Sequence, residues 1–166
     1  MFYMMITCSS FSQLTISRRE LTKNAFPKTQ NSNSGDVFTN ASIAVNDKVQ
    51  KSFNKYFVGA TKQNWSMIAK DFHSTFYVNG VFNQALLGRK GNLIYTISYG
   101  TEKEMPSEVR KIVKSEYYDY TITVAIEIKD NKRDIWIINM TNDNSYLIVK
   151  VEDGEMDRIN QFKKSM

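Results

Sequence analysis

Cysteine is almost missing from this chain of 166 residues: Cys8 is the only one. Disulfides within one chain and cysteine-built metal sites are therefore excluded. Histidine is just as scarce, with His73 alone, which leaves any acid–base chemistry near neutral pH a single obvious carrier. Only two prolines and seven glycines interrupt the sequence, too few for a low-complexity or disordered chain over most of its length. Long apolar runs are absent as well; none approaches the roughly 20 residues that a membrane-crossing helix needs. The net charge of +5 has no concentrated source. Four of the 22 basic and two of the 17 acidic residues precede Ile43, so the remainder carries only +3, with both signs interspersed. A nucleic-acid footprint would instead gather basic residues into a stripe, so we expect no nucleic-acid partner.

Hydrophobic residues make up 42% of the chain and aromatics 13%, enough for a substantial core. Residues 1–44 stand apart. Met1 to Ile6 is apolar and gives way to small and polar residues up to Gln13, the order found in the last part of a secretory signal. No basic segment precedes it, so either the signal is incomplete and the start codon lies upstream, or this is an ordinary disordered terminus; we expect a periplasmic or secreted protein. A lipoprotein reading through Cys8 is weaker, because Thr7 stands where a small residue is usual. Residues 13–44 are rich in Ser, Thr, Asn, Lys and Gln without any period, as in a flexible leader.

From residue 45 onward a pattern occurs twice. Val45, Val49, Phe53, Tyr56 and Phe57 share one face of a helix expected over about 45–57, capped by Asn46 with Asp47 in its first turn. Strands are expected at about 62–69, 71–79, 81–88 and 93–99, with Asn79-Gly80 as the strongest hairpin signal. Pro106 then opens a second helix, reaching about Tyr117 on Val109, Ile112 and Val113. Strands follow at 119–128, 133–141, 144–151 and 155–162. Val49 and Val109 lie 60 residues apart, and the turn glycines Gly91 and Gly154 lie 63 apart. The expected fold is therefore α+β: two tandem helix–β4 repeats, about 45–100 and 105–162, forming an antiparallel sheet with both helices on one face. In the strand at 121–128, Ile122, Val124, Ile126 and Ile128 alternate with Thr121, Thr123, Ala125 and Glu127, so the four aliphatic residues are expected on the helix side.

The pattern Phe57-x-x-Ala60, Trp65, Phe76-x-x-Asn79-Gly80 and Gly91-Asn92-Leu93 resembles the first half of the beta-lactamase-inhibitor-like, PepSY-like family of small exported bacterial proteins. Pro106-x-x-Val109-x-x-Ile112, Tyr117, Ile122, Glu127-Ile128, Tyr146 to Val151, Asp153-Gly154-Glu155 and Phe162 resemble its second half. The motifs are turn glycines, core aromatics and a helix-opening proline, and they speak to fold more than to function. The resemblance implies a non-catalytic role in binding or inhibiting another protein. Inhibition of a beta-lactamase is not inherited from the family name.

Alternation puts His73 beside Thr75 and Tyr77, away from the Phe72 and Phe76 face, with no serine or cysteine placed by sequence as its nucleophilic partner. We expect no enzyme. Glu152, Asp153, Glu155 and Asp157 scatter around a turn and match no calcium-loop spacing, so no metal or other cofactor is expected. Trp65 is expected in the core. Trp136 stays undecided, because both registers of Ile135-Trp136-Ile137-Ile138 are apolar. If Phe72, Phe76, Leu147, Val149 and Val151 point to the helices, then His73, Tyr77, Tyr146, Ile148 and Lys150 point to an open sheet face. Tyrosines on a rigid surface are suited to binding a protein or peptide, and a second copy of the chain could also cover them. The alternative is a small-ligand or envelope-stress sensor, with a ligand held in a cleft between helix and sheet.

Overall fold

A computed structural model describes residues 43–165. The leader expected over 1–44 lies, except for its last two residues, outside them. The chain forms α1 (Asp47–Tyr56), then β1 (Thr61–Ile68), β2 (Asp71–Val78), β3 (Val81–Leu87) and β4 (Leu93–Gly100). After a 3₁₀ turn at Glu102–Glu104 come α2 (Ser107–Glu116), β5 (Thr121–Asp130), β6 (Asp134–Thr141), β7 (Ser145–Glu152) and β8 (Glu155–Lys163). All eight strands join one antiparallel sheet in the order of the chain, β1 to β8. The fold is α+β, as the periodicities predict.

Local chemistry explains the element ends. The Asn46 side chain accepts the Val49 N–H at 3.0 Å and caps α1, with Asp47 favourably placed against the helix dipole. Pro106 sits at the cap of α2, one position before the first helical residue, and its carbonyl accepts the Arg110 N–H at 3.0 Å. Asn79-Gly80 and Asp153-Gly154 both have two successive positive φ angles, the geometry of a two-residue hairpin turn. Gly91 serves a different need. A Cβ there would lie 2.4 Å from Ser52 Oγ and 2.9 Å from the Lys48 carbonyl, so its absence lets α1 rest on the β3–β4 turn.

The core consists of two clusters on the same face. Under α1, Val49 and Phe53 pack on Phe72, Phe76, Ala85 and Leu87. The Phe53 ring meets Trp65 at 5.0 Å and Phe76 at 4.8 Å, both edge-on, so Trp65 joins the core as expected. Under α2, Val113 packs on Ile122, Ala125, Trp136, Ile138, Met140, Leu147, Val149 and Val151. Trp136 is thus a core residue facing the helix. The directly paired row Asn83, Ser98, Glu127, Trp136, Val151 runs from one cluster to the other, which places both helices on one side of the sheet. Polar pairs fill the strip between them: Ser98 Oγ donates to Asn83 Oδ1 at 2.7 Å, and Lys129 bridges Glu127 and Asp134, both at 2.8 Å.

One expected register fails. Between Ile122 and Val124 the pairing of β5 with β6 shifts by one residue, leaving Thr123 as a bulge whose hydroxyl donates to the Asn139 carbonyl at 3.1 Å. Ile122 and Ala125 therefore face the helices, whereas Val124, Ile126 and Ile128 face away. The sequence has clean alternation, but one extra residue reverses it midway.

Candidate binding surface

The sheet face away from the helices has no cover within residues 43–165. Cross-strand pairing sets its side chains in rows. One row runs Tyr77, Phe82, Tyr99, Ile126, Ile137 and Lys150 from β2 to β7; the next runs Thr75, Gln84, Ile97, Ile128, Ile135 and Glu152. The aromatic start of the first row is packed side by side, with ring centroids 5.4 Å apart for Tyr77–Phe82 and 5.5 Å for Phe82–Tyr99. Tyr77 is 37% exposed, Tyr99 36% and Tyr146 54%. The Tyr99 hydroxyl accepts from Gln84 Nε2 at 3.2 Å, and its pKa is raised by burial and by the neighbouring Tyr95. It stays a neutral hydrogen-bonding group throughout the physiological range.

All five residues singled out from the sequence lie on this face, but not together. His73 and Tyr77 are on β2, and Tyr146, Ile148 and Lys150 are on β7. Five inter-strand steps separate these strands, about 24 Å at the usual spacing. Each end has its own setting. Lys62 Nζ stands 5.5 Å from the Tyr77 ring, and Lys164 Nζ stands 5.0 Å from the Tyr146 ring. Lys150 is engaged in ion pairs with Glu152 at 3.3 Å and Asp157 at 3.1 Å. Arg133 grips Glu152 with two bonds, Nε at 2.6 Å and a terminal nitrogen at 3.1 Å. Those contacts, Arg133 first and Lys150 second, hold the Glu152 carboxyl well below its usual 4.5, at about 2.

Between the two ends lie residues that sequence reasoning left out: Phe82, Ile97, Tyr99, Ile126, Ile128, Ile135 and Ile137. The β6 members were detectable in principle, because a strand apolar in both registers has two faces to cover. The β5 members were hidden by the Thr123 bulge.

His73 has a serine neighbour after all. Ser66 Oγ lies 3.1 Å from its Nδ1, and Gln84 Oε1 lies 3.3 Å from its Nε2. Chemically this falls short of an activated nucleophile. The orienting group is an amide where a carboxylate would stabilise an imidazolium, and the pair sits on an exposed sheet near its edge. Among the described residues no group of three or more His, Cys, Asp or Glu side chains could hold a metal ion. No helix among them is long and apolar enough to cross a membrane. The helix–sheet contact is tightly closed where α1 and α2 cross it: Val49, Phe53, Phe76, Leu87, Val113 and Ile138 are fully buried. That filling speaks against a ligand cleft beneath the helices.

No family model matches the sequence, and no curated protein matches it. Solved structures do resemble the fold. A BLIP-like protein from Bacteroides fragilis aligns with a TM-score of 0.56 at 9% identity, covering 74% of this chain and 89% of that one. A DUF2874 family protein from Bacteroides uniformis aligns at 0.52 and 15% identity, covering 71% and 88%. A candidate periplasmic protein from Bacteroides eggerthii aligns at 0.52 and 17%, covering 72% and 89%. The beta-lactamase-inhibitor-like side of the sequence resemblance thus has counterparts in fold, while the PepSY-like side has none among these neighbours. At such identities the likeness reaches no further than architecture: this chain has a BLIP-like fold.

Proposed function

We propose that the chain is an exported, non-enzymatic binding module, built of two helix–β4 repeats, that docks a protein or peptide on the open sheet face. The observation that carries this is the apolar strip Phe82, Tyr99, Ile97, Ile126, Ile128, Ile135 and Ile137, which a sheet needing only one buried face has no reason to build. Rigid strands hold these side chains in place, so docking costs little ordering entropy. The edges are less inviting than the face. β1 carries a bulge near Lys62, whose φ is +53°, and β8 carries one at Ile159, so neither edge offers a regular ladder to an added strand. The periplasmic description of one structural neighbour and the signal-like residues 1–13 support export. The BLIP-like name of another supports protein binding in general, and we carry over no particular target. The mechanism is occlusion by a preformed surface, without bond-making.

The test is capture of partners from the envelope fraction of the native cell, comparing the wild-type chain with Ile126→Lys/Ile137→Lys and with Tyr77→Ala/Tyr146→Ala. Loss of a specific partner in both, with the melting temperature nearly kept in the tyrosine pair, is the expected outcome. A large fall in melting temperature for Tyr77→Ala/Tyr146→Ala would assign those side chains to the core. A wild-type chain that sediments as a dimer, and as a monomer only after Ile137→Lys, would show that the partner is a second copy. Hydrolysis of any substrate in a broad screen, lost in His73→Ala, would overturn the non-enzymatic assignment.

A further inference from the structure

We propose that a polar bowl at one end of the sheet, bordering the open face where Thr141 pairs with Tyr146, binds a neutral saccharide. The bowl has a volume of about 320 Å³ and is assembled from three chain segments: Asp119 and Thr121 after α2, Asn142 to Asn144 in the β6–β7 turn, and Lys164 after β8. A second hollow of about 590 Å³ shares Asp143, Asn144 and Lys164 as its wall, so the pair could accommodate more than one sugar ring. Both volumes fall in the range of small-molecule sites.

The frame of the bowl is held independently of any ligand. Asn142 Oδ1 accepts the backbone N–H groups of Asn144 at 3.0 Å and Ser145 at 2.9 Å, and Asn142 Nδ2 donates to Asp119 Oδ2 at 2.9 Å. The Lys164 N–H donates to the Asn144 carbonyl at 2.8 Å, and its Nζ donates to the Asn142 carbonyl at 2.5 Å. With the Asn142 side-chain oxygen occupied in this way, the groups left to meet a ligand are one Asn142 Nδ2 hydrogen, the remaining Lys164 ammonium hydrogens, one Asp119 oxygen, the Asp143 carboxylate, the Asn144 amide and the Thr121 hydroxyl. No hydrogen bond within the described residues occupies the last three side chains.

The mixture of groups selects the ligand class. A phosphate or other anion would face two carboxylates, and a divalent cation would face the Lys164 ammonium with too few carboxylates to offset its dehydration. An apolar ligand would strand polar walls without water. Vicinal hydroxyls satisfy the whole set, because each hydroxyl donates to a carboxylate while accepting from an amide or ammonium. One exposed ring, Tyr146, stands beneath Lys164 Nζ at the rim and can cover the C–H face of a pyranose.

The experiment is a ¹H–¹⁵N chemical-shift titration of the full chain with maltose, cellobiose, N,N′-diacetylchitobiose and methyl α-mannoside. Each is taken to about 20 mM, since a shallow site with a few hydrogen bonds holds its ligand at roughly millimolar Kd. Phosphate and calcium chloride serve as comparison probes. Expected are saturable shifts of the Asp143, Asn144 and Lys164 amides with at least one sugar, weakened about tenfold or more by Asp143→Ala and by Thr121→Val. Ile137→Lys, on the open face, leaves these shifts in place, so failure of this site and failure of the docking surface are distinguishable. The proposal is overturned if no sugar gives saturable shifts, if both variants bind as wild type, or if phosphate or calcium moves these amides in place of sugar.

Discussion

Ile137 and Ile138 are chain neighbours of the same residue type on the same central strand, yet they answer to different physics. Ile138 is fully buried beneath α2 among Met140, Leu147 and Val149. Ile137 points the other way and is half-buried, with Ile126 and Lys150 as its partners on the neighbouring strands. The helix side is closed by side chains from another layer, while the open side is closed only by its own row. Apolar character alone therefore does not mark a residue as core; what matters is whether a second layer arrives to cover it.

This contrast can be broken by measurement. Phe53→Ala removes the ring that ties α1 to Trp65 and Phe76 and should cost about 3–5 kcal/mol in urea unfolding. Ile138→Ala should cost about 2–4 kcal/mol by the same route, and Ile137→Ala less than about 1 kcal/mol. Equal losses at 137 and 138 would mean that both faces are core and would remove the case for a free surface. Ser74→Ala works in the opposite direction. Ser74 Oγ is fully buried against the α1 cluster with no hydrogen-bond partner among the described residues, so deleting it should raise stability by about 1 kcal/mol. A loss there would reveal a partner for the hydroxyl in solution.

The smallest expected effect is on the open side. The folded Glu152 carboxyl titrates near 2, below its usual 4.5, so its contribution to stability is complete above about pH 4.5 and is lost as pH falls from there through 2. Carboxyl chemical shifts should place its midpoint near 2, and Arg133→Ala should move it back towards 4.5. Core amides should hold their exchange protection over the first part of that acidification, because the ion pairs lie on the uncovered face.

Much of this architecture was legible in advance. The 3.6-residue spacing of Val49 and Phe53, the Asn46 cap and the hairpin dipeptides are local signals, and each has a local cause. The Asn79-Gly80 turn is an example: its two positive φ angles are what that dipeptide supplies at least cost. Two features were not legible. A bulge depends on how one strand pairs with another, and Thr123 carries no mark of it; its neighbours read as perfect alternation. Trp136 sits in a run apolar on both sides, so periodicity has no contrast to report, and only the arrival of α2 decides its side. The open-face residues inferred from β2 and β7 were placed correctly by alternation, but their separation by four intervening strands is a matter of topology. The bowl around Asn142 was invisible for the same reason, since Asp119 and Lys164 meet the turn only once the sheet is assembled.

Strand order has a further consequence, for the speed and route of folding. Six of the seven strand pairings join consecutive strands through short turns, so the sheet can grow by hairpin closure with little loop entropy at each step. Only the β4–β5 pairing must wait for the Glu102–Glu104 turn and α2 to lie down between its strands. That seam also divides the two apolar clusters, so the halves can each collapse before they join. The joining step is then the natural rate-limiting event, and the seam is where two chains at high concentration would exchange halves.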